Sequence, residues 1–176
     1  MRFLSGMRVG ALGALPLEAL EVAARTVRQW PSLGVKTKNS KSATMHLQPI
    51  PELLAVVADW DAFVRGWRLP TAMWAKPIKS RWGEVELLDG ATGKNWSIAL
   101  NKRLRALFAL AGLPPLSPHK FRRGHAVWAL QHARTMADYK AISQNLMHGD
   151  IRVTDGIYAP LLGSENGLRA TVFCNL

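Results

Sequence analysis

The chain has 176 residues, of which 48% are hydrophobic and 20% are charged. This length suits one domain with a real core, and the apolar fraction argues against disorder. The formal net charge of +11 favours a polyanionic partner, with nucleic acid first and an anionic membrane surface second. Cys174 is the only cysteine, which excludes an intrachain disulfide and suits a reducing cytosol.

The apolar start of the chain has some features of a secretory signal. However, Arg8 interrupts the apolar run, and Glu18 and Glu21 follow closely. No stretch reaches the ~18 uninterrupted apolar residues that a membrane span needs. We therefore expect a cytoplasmic protein that associates with the nucleoid and not with a membrane.

The first part of the chain predicts a helical segment followed by a small sheet. Leu12, Leu17, Leu20 and Val22 recur along residues 2–25, which favours a helix that Gly and Pro interrupt. Three short runs of β character come next, and Asn39-Ser40 has the chemistry of a turn. We expect an antiparallel sheet with a hairpin near residues 38–42, built from residues 26–30, 33–37 and 43–47.

The rest of the chain predicts helices. Ser117 is a good N-cap, and Pro118 suits the first position of the helix that follows it. Residues 66–94 show no clear pattern, so we expect them to be irregular. A last short helix is expected to carry Tyr158, and the tail after Gly163 is expected to be poorly ordered unless it docks on a partner. The predicted helices cover residues 52–65, 96–111, 118–132 and 136–147, the last of them stopping at Gly149. The fold class is therefore α+β and mainly α, with a small antiparallel sheet.

Four residues follow one another in an order that phosphodiester chemistry without a metal can use. Tyr is a candidate nucleophile, Arg binds phosphate through paired hydrogen bonds, and His bonds to oxygens. The four are His119, Arg122, His148 and Tyr158. Taken singly, each of them has an ordinary interpretation as a packing or surface residue. His46, His125 and His132 have no assigned role and are interpreted as structural or surface residues.

In these positions the chain resembles the catalytic domain of the tyrosine recombinases, the phage-type integrases. Ser5-Gly-Met-Arg8 is similar to the first Arg box, and Thr37-Lys38-Asn-Ser-Lys41 to the hairpin Lys segment. The resemblance places Lys38 as the residue that protonates the leaving oxygen, although Lys36 and Lys41 are close rivals. His119 and Arg122 match the His-x-x-Arg box, and His148 and Tyr158 match the next His and the nucleophile. The resemblance thus implies a catalytic set of six: Arg8, Lys38, His119, Arg122, His148 and Tyr158. The resemblance covers about residues 2–163. We expect residues 1–163 to be the catalytic domain and residues 164–176 to be a C-terminal tail.

The resemblance implies a recombinase that cuts and rejoins double-stranded DNA through a 3′-phosphotyrosyl intermediate at Tyr158. It implies no metal or nucleotide cofactor, and the 12 acidic residues form no visible cluster that could hold Mg²⁺. Family members act as tetramers on paired DNA sites. Candidate phosphate contacts, which position DNA without reading its sequence, are Lys36, Lys41, Lys102, Arg103, Arg105, Lys120 and Arg123.

Several departures from the family pattern keep other functions open. Ala11 stands where relatives often have an acidic residue, Arg123 stands where they often have His, and the step from His148 to Tyr158 is one residue longer than in many of them. The family's first helices and N-terminal DNA-clamping domain are missing, so we expect a truncated chain whose own activity is open. The alternatives are a non-catalytic DNA-binding remnant and a DNA-relaxing enzyme of the type IB topoisomerase class. A third alternative, a protein that binds RNA or a membrane surface, is supported by the net charge alone.

Overall fold

A computed structural model describes residues 1–76, 78–81, 84–90, 92–148, 152–154 and 156–157. Six α-helices within these ranges are α1 (Arg2–Ser5), α2 (Val9–Gly13), α3 (Pro51–Gly66), α4 (Trp96–Leu110), α5 (Pro118–His132) and α6 (Met136–Asn145). The strands within them are β1 (Leu20–Glu21), β2 (Thr26–Gln29), β3 (Ala43–His46), β4 (Ile78–Arg81) and β5 (Glu84–Leu87). The mainly α, α+β class predicted from the sequence is confirmed. Of the described helices, none is both long and apolar enough to cross a membrane.

The helical segment predicted over residues 2–25, with Gly and Pro as breaks, agrees with the structure as far as residue 19 and is wrong beyond it. Gly6 ends α1 in the left-handed conformation, with φ 65°, and Arg8 is extended before α2 begins. A residue without a side chain tolerates that conformation, and the chain changes direction there. A 3₁₀ turn (Leu17–Ala19) and strand β1 then occupy the rest of the segment. The segment therefore holds two short helices with a sharp turn between them.

The sheet is antiparallel with the order β1-β2-β3. Val27 pairs with both Leu20 and Met45, and all three side chains are buried. The predicted strand over residues 33–37 is wrong, because a 3₁₀ turn (Pro31–Leu33) ends in Gly34 with φ 79°. Proline removes a ladder donor and the left-handed glycine turns the chain away from the sheet. A second 3₁₀ turn (Lys38–Ser40) lies in the same connection, where the hairpin was expected.

A second hairpin was missed within residues 66–94. Strands β4 and β5 pair with each other, with Ile78 opposite Leu87 and Arg81 opposite Glu84. The sequence Glu84-Val85-Glu86-Leu87 alternates polar and apolar residues, which is the pattern of a half-buried strand. That signal could have identified β5.

The main core lies between the two N-terminal helices, the three-stranded sheet and α3. Leu4, Met7, Leu15, Val27 and Met45 are fully buried there. A smaller apolar cluster of Ala126, Leu130 and Leu146 holds α5 against α6. In addition, α5 packs on α1 and α6 packs on β3. These contacts bring α1 and α6 together at α5.

The four longer helices agree with the predicted ones within a few residues. Ser117 precedes α5 as predicted, but its side chain makes no capping hydrogen bond. Helix α6 begins with a capping box that was not predicted: Thr135 and Asp138 bond to each other's backbone N–H groups. Such a box satisfies two donors that would otherwise lack partners at a helix start.

The turn at Gly6 gives a first prediction. A Cβ at Gly6 would lie 2.6 Å from Cδ2 of His125, and the φ of +65° would strain any L-residue. We expect Gly6→Ala to lower the free energy of unfolding by about 2 kcal/mol or more, measured by urea titration. Gly10→Ala is the matched control, because nothing lies within 4 Å of its Cβ position and alanine favours a helix by about 0.5–1 kcal/mol. Equal stabilities of the two variants would contradict the left-handed turn at Gly6 and its close contact with His125.

Candidate active site

Arg122 is the centre of the site. It lies on α5 and only 3% of its surface is exposed. Its Nη1 donates to the carbonyl of Gly6, and its Nη2 donates to the carbonyl of Leu146. One guanidinium therefore ties the turn after α1 to the end of α6, two segments that are remote in sequence.

His148 lies against the same guanidinium. After α6 the chain turns at Met147, with φ 54°, and the backbone N–H of His148 donates to the carbonyl of Ser143 at 3.0 Å. Its Nε2 then lies 3.5 Å from Nη2 of Arg122, at the outer limit of a hydrogen bond. The turn thus aims the imidazole at the arginine.

The contacts of His148 favour one tautomer. The Arg122 guanidinium can only donate, so Nε2 of His148 faces it with its lone pair and the proton is on Nδ1. Nδ1 lies 2.8 Å from the hydroxyl oxygen of the buried Thr154, which in turn lies 3.0 Å from Oγ of Ser143. Thr154 and Ser143 were missed in the sequence, where hydroxyl residues carry no signal of what they bond to.

Burial, followed by the charges of Arg122 and Arg8, lowers the pKa of His148 to about 4. The pKa of His119 is also lowered, first by burial and then by Arg122, Arg2, Arg123 and Arg8. The backbone places the four residues close together: His119 lies three residues before Arg122 on α5, Arg8 lies two residues after the Gly6 carbonyl that Arg122 binds, and His148 faces Arg122 directly. Arg8, His119, Arg122 and His148, four of the six predicted residues, therefore lie near one another.

Arg8 holds the N-cap position of α2, half-buried and extended. Its guanidinium makes no hydrogen bond or ion pair to another described residue. The two ion pairs among the described side chains, Arg65–Asp61 and Lys76–Asp89, lie elsewhere. Ala11, at the position where an acid would offset this charge, is 1% exposed. The cluster is thus cationic, which suits an anion with several oxygens.

Two predicted residues are not brought to this cluster by the described structure. Lys38 is exposed on the 3₁₀ turn between β2 and β3, and it forms no hydrogen bond or ion pair with the described residues. Tyr158 lies outside the described residues. The residues just before it, 156–157, are helical and exposed.

The predicted DNA contacts fall on three segments. The connection between β2 and β3 carries Lys36 and Lys41, and the first turns of α5 carry Lys120 and Arg123. Six of the seven side chains are exposed and Arg123 is half-buried. The remaining three are on α4: Lys102, Arg103 and Arg105.

His125 proves to be a buried structural residue, one of the two roles expected for it. Its Nδ1 donates to the carbonyl of Phe3 at 2.7 Å, and its Nε2 faces Nδ2 of Asn145 at 3.3 Å. Asn145 also exchanges hydrogen bonds with the backbone of His46, at 2.7 and 3.1 Å. Burial lowers the pKa of His125 to about 4, and Arg122 adds to this effect. The network fixes α5 and α6 relative to α1 and β3.

Comparisons with known proteins identify the fold. No protein-family model matches the chain, and no curated protein sequence matches it. The structure of XerA recombinase matches with a TM-score of 0.61 and 16% identity, over 86% of this chain and 48% of that one. The Tn1549 transposon integrase, in complex with circular intermediate DNA, matches with a TM-score of 0.56 and 14% identity, over 99% of this chain and 57% of that one.

The chain therefore has the fold of the tyrosine recombinase catalytic domain, as its motifs predicted. It spans about half the length of the two solved structures. Among the described residues, no three His, Cys, Asp or Glu side chains are placed to hold a metal ion together.

The electrostatics of the cluster give a second prediction. We expect the imidazole of His148 to remain neutral, protonated on Nδ1, down to about pH 4, as measured by NMR of ¹⁵N-labelled histidine. Arg8→Gln removes a positive charge and should raise this pKa, whereas Arg134→Gln, a change of an exposed residue after α5, should leave it alone. A pKa near 6.5 in the folded protein would exclude this environment.

The same shift has a defined effect on stability. The unfolded chain takes up the proton near pH 6.5, and the folded chain takes it up only near pH 4. Protonation therefore favours the unfolded state. The contribution of His148 to the stability of the folded chain is complete above pH 6.5 and is lost as the pH falls towards 4.

Proposed function

We propose that this chain is the catalytic part of a DNA recombinase that cuts and rejoins strands through Tyr158. The observation that carries the proposal is the cationic cluster around Arg122. Two buried hydrogen bonds hold that guanidinium against the turn that leads to Arg8 and against the residues that lead to His148. A phosphodiester is the anion that such a cluster of Arg and neutral His fits best.

The proposed cleavage step transfers one phosphoryl bond. The Tyr158 oxygen attacks the phosphorus and the bond to the 5′-oxygen breaks, which leaves a 3′-phosphotyrosyl link and a free 5′-hydroxyl. The Tyr158 proton passes to Nε2 of His148, and Lys38 protonates the leaving oxygen. A 5′-hydroxyl from another strand reverses the same step, so the bond energy is conserved.

Arg8 and Arg122 bind the non-bridging oxygens, on which negative charge grows in the transition state. Preorganised donors in a site with little water stabilise such charge strongly. His119 donates a further hydrogen bond to the phosphate. Because the bound phosphate opposes the arginine charges, it raises the pKa of His148 towards the range in which a histidine accepts a proton.

The proposal extends to the partners of the chain. Double-stranded DNA is the substrate, and its backbone is contacted by the seven basic residues named above. Residues 1–163 act as the catalytic domain, and residues 164–176 pass between the subunits of a tetramer on paired sites. The cell compartment is the cytoplasm, at the nucleoid, and no metal or cofactor takes part.

A second candidate is a DNA-binding protein without catalysis. The observation that favours it is the exposed position of Lys38, which has no described contact with the arginine cluster. This candidate predicts DNA affinity that falls with salt and no covalent adduct. A DNA-relaxing enzyme of the type IB class would instead form the adduct without a preferred site.

The covalent link is the direct test. The protein is mixed with nicked duplexes that trap the cut strand, and the products are separated on a denaturing gel. We expect a DNA-linked band that disappears in Tyr158→Phe and persists in Tyr139→Phe, since Tyr139 is the only other tyrosine of the chain. A band that persists in Tyr158→Phe would exclude the assigned nucleophile. DNA binding without any band would support the non-catalytic candidate.

The role of Lys38 can be separated from that of its neighbours. General acid catalysis contributes about 10²–10⁴ to a rate, so we expect Lys38→Ala to slow strand cleavage by about that factor. A substrate with sulfur at the 5′-bridging position needs no proton on its leaving group, and with it the variant should cleave as fast as the parent chain. Lys36→Ala and Lys41→Ala serve as controls that lower DNA affinity alone. If sulfur rescues one of these two instead, that lysine is the acid.

A further inference from the structure

Arg2 is a second buried arginine beside the site, and the motifs of the sequence do not include it. It lies on α1 and only 9% of its surface is exposed. Its Nε donates to the carbonyl of Met7 at 3.2 Å. Its Nη1 is buried and has no hydrogen-bond partner within the described part of the chain.

The surroundings of Arg2 are those of the cationic cluster. Helix α1 packs on α5, which carries Arg122 and His119. Burial, followed by the charge of Arg122, lowers the pKa of Arg2 to about 10, so the group stays charged near neutral pH. Arg2 in turn contributes to the lowered pKa of His119. Arg2 thus lies near both residues.

A buried arginine held in this way lowers the stability of the folded chain unless another group pairs with it. A buried charged group without a partner loses its hydration, and two guanidinium groups close together repel each other. Neither of the two ion pairs of the described side chains reaches Arg2. An anion at the cluster would offset both costs.

We propose that Arg2 is a third phosphate-binding arginine, whose Nη1 donates to an oxygen of the DNA backbone held at the cluster. The inference rests on the proposed function, because it takes DNA phosphate as the anion. The Nε of Arg2 meanwhile holds the carbonyl of Met7, the residue before Arg8. Arg2 therefore binds phosphate directly and also positions the backbone that carries Arg8.

Inorganic sulfate is a suitable probe, because its affinity can be measured without any DNA chemistry. It is added at constant ionic strength against chloride, and the imidazole NMR signals of His119 and His148 report its binding at the cluster. Arg2→Gln removes the charge and keeps an amide donor for the Met7 carbonyl. Arg134→Gln is the matched control for an exposed arginine.

We expect sulfate to bind about tenfold more weakly to Arg2→Gln, the loss of one charge-assisted hydrogen bond, and to bind normally to Arg134→Gln. A purely structural Arg2 would instead lower the melting temperature in sulfate-free buffer and leave the dissociation constant unchanged. If Arg2→Gln does not fold, Arg2→Lys decides: it keeps the charge but not the forked donors, and unaltered affinity would overturn the proposal.

The remaining outcomes separate this inference from the proposed function. If Arg8→Gln weakens sulfate binding and Arg2→Gln does not, Arg2 is excluded and the phosphate site stands. If sulfate causes no saturable shift in the unaltered protein, the cluster is not an anion site. Both the role of Arg2 and the proposed phosphate chemistry are then overturned.

Discussion

The geometry of the site depends on the two hydrogen bonds from the buried Arg122 guanidinium to the carbonyls of Gly6 and Leu146. Each hydrogen bond from a charged donor contributes about 1.5–3 kcal/mol. The two carbonyls belong to the turn that leads to Arg8 and to the segment that leads to His148. A shift of α5 would disturb both at once. The same two hydrogen bonds therefore determine both the packing of α5 and the arrangement of the candidate catalytic residues.

The concentration of positive charge at this point opposes folding. Arg2 and Arg122 are both buried, Arg8 and Arg123 lie near them, and burial with the arginine charges keeps the pKa of His148 at about 4. The proposed function would require such charge before a phosphodiester binds, because donors that are already in place need no reorganisation. The apolar core and the neutral network around His125 and Asn145 offset this unfavourable charge.

The sequence predicted the helices better than the segments between them. α3 to α6 were predicted within a few residues, since each is a continuous run without an internal break. The strand over 33–37 was wrong because the left-handed Gly34 turns the chain, and the helical segment over 2–25 was wrong in its last part, where strand β1 begins. The break at Gly6 was expected, but its left-handed conformation was not. A glycine in a sequence does not show whether its φ is positive. That depends on what the backbone must approach, and for Gly6 this is the ring of His125.

The sequence by itself determined the fold class and the basic character, because these follow from periodicity and composition. It also determined the order of the six candidate residues, through the resemblance of its motifs to those of the tyrosine recombinases. Only the tertiary structure decided that His125 is buried while Lys38 is exposed, that Nδ1 of His148 bonds to Thr154, and that Arg2 is buried on a helix packed against the one that carries Arg122. Each of these depends on burial and on hydrogen bonds between segments remote in sequence. Desolvation and pairing are properties of the packed chain, and local residue patterns do not record them.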